Sequence, residues 1–349
     1  MPTDEHPDTV LTEGTVTSGG HTTAYLAAGP EDGPLIVFVH GWPAIARTWK
    51  HQLTAFGALG FRAVAPDMRG YGGSTVHPDR AAYAQQHVVA DMVALLDHLG
   101  RERAVWVGHD WGCATVWGLA AHHPERCAAV SGICVPYGVL ERGLETLVRH
   151  VDRSIYPADT HPYAQFDYID YYRRQPERAA RVFEAEPYRT VKALYRRGNP
   201  DAFGKPAVTS TVTRDGGWFG GADAAPDVPA DTVVLDAELL AELGASFARN
   251  GFSAPTAYYL NDEANLAYTE TSVDGGRLAM PVLFIGARYD AVADTSFTRL
   301  AEPMREHCAD LTEATVDTGH WAPMERPAEV NAALAGWLAR KVPGQWPGA

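Results

Sequence analysis

What most restricts the fold of this chain is an alternation. In the first 135 residues, short apolar runs at 35–39, 62–65, 104–107 and 128–134 are separated by segments of helical period. Val88, Val89, Met92, Leu95, Leu96 and Leu99 fall on one face of such a helix, and Gly100 stands where it would stop. A strand that is apolar throughout must be covered on both faces. Strands of that kind alternating with amphipathic helices predict an α/β protein with a mostly parallel central sheet. The alternation ends after Val135-Pro136-Tyr137. Over 138–270 there are helical stretches, many tyrosines and arginines, and a Gly/Pro/Asp-rich segment at 215–232, read as a lip over the pocket. Strand and helix return with an apolar run at 281–285 and a helix opened by Pro327, whose Val330, Leu334, Trp337 and Leu338 share a face. The expected organisation is a core of residues 1–137 and 271–349 with a helical insert, 138–270, and a frayed tail after Val342.

Composition narrows the partners. A formal net charge of −14 argues against a phosphate-backbone ligand, so no nucleic acid is expected. The locally basic stretch 189–197 (RTVKALYRR) reads as a solvated helix face. No apolar run approaches the roughly 18 residues a bilayer span needs, so no membrane association is expected. The opening MPTDEHPDTVLTEG is polar and acidic, unlike a signal or transit peptide. Cys113, Cys127, Cys134 and Cys308 form no C-x-x-C pair and no zinc-type cluster. They read as reduced, buried thiols, and together these points favour the cytoplasm.

The chemistry centres on Gly108-His109-Asp110-Trp111-Gly112. An apolar strand precedes it and a helix, 111–121, follows, which is the setting of a nucleophile elbow. The glycines permit a tight turn, and the helix N-terminus favours an anion. Asp110 thus stands where many hydrolases place a serine. Asp290, in PVLFIGARYD, and His320, in VDTGHWAPMERP, follow later apolar stretches, giving the order nucleophile, acid, histidine. With 14 histidines in the chain, order and context carry this inference, not the presence of a histidine. His40-Gly41-Trp42-Pro43 follows the first core strand. Its Trp42 N–H, with that of Trp111, would form an oxyanion hole. The loop APDMRGYGGS at 65–74 is given a shaping role. Cys113, in the helix after Asp110, is expected to face packing and to have no catalytic part.

These motifs resemble the α/β-hydrolase superfamily, and HGWP, GHDWG, Asp290 and His320 together are most similar to the soluble-type epoxide hydrolases. The resemblance runs from about residue 15 to 340. It implies an α/β-hydrolase core with an inserted helical cap domain, no cofactor and no metal, and a small-molecule epoxide and water as reactants. A carboxylate suits attack on saturated carbon, leaving an alkyl ester for His320-activated water to hydrolyse. Asp290 then orients and stabilises the charged histidine. An ordinary esterase is disfavoured, because Asp110 would form an anhydride.

Epoxides and alkyl halides both fit that scheme. An epoxide leaves as a basic alkoxide and benefits from a proton donor such as tyrosine. FDYIDYYRRQPE (166–177) and NGFSAPTAYYLND (250–262) resemble the cap stretches that carry the paired donors of soluble epoxide hydrolases. The resemblance selects Tyr168, with Tyr171 as the alternative, and Tyr259. His40, Pro43, Trp111, Tyr171 and Tyr258 are expected to line the substrate. Trp42, Trp111 and Trp218 point to an apolar or aryl substituent, although Trp218 could instead pack the insert. Haloalkane dehalogenation remains the alternative. A non-catalytic receptor on the same fold is more remote, since every piece of the triad is present. Monomer and homodimer are both compatible with the sequence.

Overall fold

A computed structural model describes residues 11–348; most of the acidic N-terminal stretch lies outside them. The frame is an eight-stranded sheet: β1 (Thr12–Ser18), β2 (His21–Ala28), β3 (Leu35–Val39), β4 (Arg62–Pro66), β5 (Ala104–His109), β6 (Cys127–Ile133), β7 (Leu278–Ala287) and β8 (Cys308–Val316). The order across the sheet is β1-β2-β4-β3-β5-β6-β7-β8. The β1–β2 and β2–β4 pairs are antiparallel and all the others are parallel. The expected α/β architecture with a mostly parallel sheet is what forms.

Helices α1 (Lys50–Ala58), α2 (Gln85–His98) and α3 (Trp111–His122) connect the first parallel strands. Strands β3 and β5 are buried at every position, as their unbroken apolar runs require. Every residue of α3 except His122 is buried, so the element that starts at Asp110 is also the most enclosed helix among those described. Residues 85–98 bury Val88, Val89, Met92, Leu95 and Leu96, the face predicted from their spacing.

Between β6 and β7 the described elements are all helical: α4 (Leu144–Arg149), α5 (Asp167–Arg174), α6 (Pro176–Ala185), α7 (Pro187–Leu194), α8 (Ala237–Asn250), α9 (Ser253–Ala257) and α10 (Asp262–Thr269), with single turns between them. After β7 come α11 (Glu302–His307), α12 (Ala322–Glu325) and α13 (Pro327–Lys341).

Three strands escape a reading based on apolar runs. β1 and β8 lie at the sheet edges and expose much of their length, and β2 mixes threonines and a histidine with alanines. Two further expectations are corrected. The 189–197 stretch is not simply a solvated face. Val191 and Tyr195 are buried, Tyr195 Oη donates to Pro43 O at 2.6 Å, and the Tyr195 ring stacks on Trp321 with centroids 3.9 Å apart. Two of its charges meet acids of the segment that follows, Lys192 with Asp227 and Arg197 with Asp231, while Arg189 pairs with Glu186. The tail is not frayed either. It forms a turn, Pro343–Gln345, and Trp346 packs edge-on against Phe61 at 5.5 Å.

Candidate active site

Asp110 occupies the turn between β5 and α3, with φ 54° and ψ −123°. That positive φ, combined with ψ −123°, lies outside the left-handed helical region that Asn and Asp tolerate, and holding it costs on the order of 1–3 kcal/mol. The surroundings enforce it through contacts too close for any Cβ. A Cβ on Gly112 would lie 2.0 Å from Val39 O, and one on Gly41 would lie 2.3 Å from Asp110 Oδ1 and 2.4 Å from Trp111 N. The two motif glycines therefore let the ends of β3 and β5 meet, which brings the HGWP turn onto the carboxylate. Trp42 N–H donates to Asp110 Oδ1 at 2.5 Å. The Trp111 N–H lies beside it, at the start of α3.

His320 sits on the loop after β8. Its Nε2 lies 3.5 Å from Asp110 Oδ2, and its Nδ1 lies 2.8 Å from Asp290 Oδ2. Asp290, just beyond β7, is buried, and its Oδ1 accepts from the N–H groups of Val292 (2.9 Å) and Ala293 (3.1 Å). Both of its oxygens are thus occupied, one fixing the carboxylate and one holding the imidazole. Burial by itself would push the His320 pKa down, but the Asp290 charge and the contacts with both carboxylates outweigh it and lift the pKa to about 10. Burial would raise the Asp290 pKa, and the neighbouring His320 instead holds it below the usual carboxylate range.

Two residues that sequence reasoning missed clamp the histidine from behind. His109 Nε2 binds His320 O at 2.7 Å, and Cys134 Sγ donates to the same carbonyl at 3.3 Å. Burial, with the nearby His320 charge, lowers the His109 pKa to about 4, so it acts as a neutral donor. The donor atoms of His109, Cys134 and His320 lie within 4.8 Å of one another, a spacing open to a metal ion. Here two of the three are already spent on the His320 carbonyl. The only sequence signal for this clamp was the position of His109 beside Asp110 and of Cys134 at the end of β6.

The tyrosines sort themselves by what their rings meet. Tyr168, on α5, lines a narrow cavity with Asp110, His320 and a wall of aliphatic side chains including Val135, Val139, Leu147 and Val292. Its ring is 5.6 Å from that of Tyr259, which in turn lies 5.0 Å from Trp111 and 5.9 Å from Trp42. Burial, reinforced by the Asp110 charge, drives the Tyr168 pKa upward, and burial with the Tyr168 and Asp110 charges does the same for Tyr259. Both therefore hold their protons at neutral pH. Tyr171 faces away: its hydroxyl is 3.0 Å from where a Cβ on Gly217 would stand. The two candidates of the first cap stretch are thus separated by geometry, with Tyr168 at the nucleophile and Tyr171 against the glycine-rich segment. Tyr258 spends its hydroxyl on Arg69 O at 2.9 Å, although its ring reaches Trp111 at 5.9 Å.

His40 and Pro43 shape the turn. His40 is buried, with Nδ1 3.0 Å from Gly41 O and Nε2 accepting from Met68 N–H at 3.0 Å, so neither ring nitrogen is free for a substrate. Pro43 offers its carbonyl to Tyr195, and its bond to Trp42 is cis. The 65–74 loop supports the same turn: Asp67 accepts from Ala46 N–H (2.8 Å) and Gly73 N–H (2.8 Å). Cys113 faces β6, donating to Ile133 O at 3.2 Å. Trp218, from the 215–232 segment, packs on Trp42 (5.8 Å) and Tyr168 (5.5 Å) and so forms part of the wall.

The sequence matches the alpha/beta hydrolase fold family over residues 34–327. "Epoxide hydrolase A" of Mycobacterium tuberculosis is 33% identical over 330 residues, which is 94% of this chain and 97% of that protein. "Bifunctional epoxide hydrolase 2" of Rattus norvegicus is 32% identical over 89% of this chain and 52% of its own length. The crystal structure of epoxide hydrolase A from Mycobacterium thermoresistibile aligns with a TM-score of 0.77 at 31% identity, covering 95% of this chain and 98% of that one.

Proposed function

This chain belongs to the alpha/beta hydrolase family and, within it, to the epoxide hydrolases, and on that premise we propose how its own residues turn an epoxide into a vicinal diol. The observation that carries the proposal is one carboxylate with two differently engaged oxygens: Asp110 Oδ1 on the Trp42 N–H, and Oδ2 facing His320. Oδ2 attacks an epoxide carbon. The carbon–oxygen bond breaks, and the departing alkoxide takes a proton from Tyr168 or Tyr259. Oδ1 becomes the carbonyl oxygen of the resulting ester.

Esterification removes one of the two anions that hold the proton on His320. The imidazolium sheds that proton, which restores the tyrosine. Neutral His320 then accepts a proton from water, and the hydroxide formed adds to the ester carbonyl carbon. The oxyanion rests on the N–H groups of Trp42 and Trp111, donors already in place before charge develops. Collapse breaks the ester; the leaving diol oxygen takes the proton of the newly added hydroxyl, so Asp110 returns to the carboxylate while His320 keeps, as the imidazolium, the proton it took from water. Asp290 orients His320 throughout. Water is the only co-reactant.

We assign 1–137 and 271–349 to the hydrolase core and 138–270 to a helical cap, because every described element between β6 and β7 is helical and this stretch carries both Tyr168 and Tyr259. A cytoplasmic setting is supported by four free, buried cysteines. No helix among the described residues is long and apolar enough to cross a membrane. The test is to incubate purified protein with styrene oxide and, separately, with a 1-haloalkane, following diol and halide. Diol without halide is expected. Halide without diol would keep the aspartate chemistry and overturn the role given to the tyrosines.

A further inference from the structure

Four hydrogen-bond donors around the nucleophile have nothing to bind. Trp42 Nε1, Trp111 Nε1, Trp218 Nε1 and Tyr172 Oη are shut off from solvent and have no protein partner. They are close neighbours. The Trp42 ring lies 5.9 Å from Tyr172 and 5.8 Å from Trp218, and Tyr172 and Trp218 are stacked at 6.4 Å, with the Trp218 indole near the Tyr172 hydroxyl but outside good hydrogen-bonding geometry. Tyr259 joins them to Trp111, with its ring 5.1 Å from Tyr172 and 5.0 Å from Trp111. Elsewhere buried indoles do find carbonyls: Trp106 on Arg126 O (3.1 Å), Trp117 on Val135 O (3.1 Å) and Trp321 on Leu194 O (2.9 Å). Trp49 and Trp337 are also unpartnered. The signal is therefore the clustering of such groups beside Asp110.

A buried donor left unpaired is costly, and an indole can only donate. A hydrocarbon substituent seated among these rings would leave all four groups unsatisfied. An oxygen with two free lone pairs would satisfy two of them. The cavity beside Asp110 is lined mostly by aliphatic side chains, and its polar residues Tyr168 and His320 already have parts in the proposed reaction. We infer that this enzyme's substrates are epoxides whose substituent carries an acceptor oxygen, an ether or a carbonyl, held by the Tyr172 hydroxyl and the Trp42 indole N–H, with the Trp218 indole backing the hydroxyl. This rests on the epoxide hydrolase reading and names the substrate class for it.

The test compares phenyl glycidyl ether with 4-phenyl-1,2-epoxybutane, which differ by one oxygen in place of a methylene. kcat/KM is measured for both on wild type, Tyr172→Phe and Trp218→Phe. The ether should be preferred by wild type, and each substitution should lower that preference roughly tenfold. Any inductive activation of the ring by the ether oxygen is common to all three proteins, so the change in the ratio isolates the donors. Tyr172→Phe should also keep or raise the melting temperature, because the hydroxyl removed has no partner. A ratio unmoved by both substitutions would overturn the inference, and so would a clear fall in melting temperature for Tyr172→Phe. Diol from neither epoxide would overturn the hydrolase reading and this inference with it.

Discussion

Making Asp110 neutral should lower the pKa of His320 by about three units. The imidazole lies between two carboxylates, 2.8 Å from Asp290 and 3.5 Å from Asp110. Burial opposes its charge, yet the pair lifts its pKa to about 10. The share owed to Asp110 follows from the 3.5 Å separation: at an effective dielectric of about 20 it is roughly 4–5 kcal/mol, or about three units at 1.36 kcal/mol per unit. Without it, His320 should titrate near neutrality. The covalent ester imposes this change once per turnover, and Asp110→Asn imposes it permanently. Titration of histidines labelled at Cε1, followed by NMR from about pH 5 to 11, reads it directly. The expected midpoints are about 10 for wild type and about 7 for Asp110→Asn. The sign carries a kinetic consequence. Ester hydrolysis should accelerate as pH rises through the lowered midpoint, because only neutral His320 can take a proton from water. Equal midpoints in the two proteins, or a wild-type value already below neutrality, would refute the switch.

Three further outcomes are expected. His320→Gln should open the epoxide and then stall, visible by intact-protein mass spectrometry as a gain equal to the whole substrate; steady diol production by the variant would contradict the two-step scheme. Tyr168→Phe and Tyr259→Phe should each slow ester formation by about tenfold to a hundredfold while leaving ester hydrolysis nearly unchanged, as resolved by single-turnover tryptophan fluorescence; equal slowing of both steps would remove the tyrosines from ring opening. Gly41→Ala would place a Cβ 2.3 Å from Asp110 Oδ1 and 2.4 Å from Trp111 N. It should cost about a hundredfold or more in kcat/KM with an unchanged circular dichroism spectrum, and near-normal turnover would mean that the turn does not frame the oxyanion.

Much of this was legible in the chain because the signals were local. The strands at 35–39, 62–65, 104–107 and 128–134 are buried on both faces, so their sequences are apolar without interruption. The elements observed there are Leu35–Val39, Arg62–Pro66, Ala104–His109 and Cys127–Ile133. The nucleophile turn carries its glycines with it, and Asp290 and His320 stand in order after later strands. Edge strands β1 and β8 left no such trace, since a strand half in solvent can take polar residues at most positions.

By itself, the sequence determined the residues on which the proposed chemistry rests: a carboxylate at a strand-to-helix turn, a histidine and an acid later in the chain, and tyrosines between residues 138 and 270. Those are properties of residue type and order. Only the tertiary structure decided which side chains are free to act. Tyr168, Tyr171 and Tyr258 are the same residue in sequence. The fold places the first beside Asp110, the second against Gly217 and the third on the Arg69 carbonyl. His40 adjoins the oxyanion turn yet spends both nitrogens inside it, while His109 and Cys134 turn out to fix the catalytic histidine from behind. A hydroxyl or an imidazole is defined by what remains unbonded after packing, and packing brings together groups more than a hundred residues apart, such as Cys134 and His320.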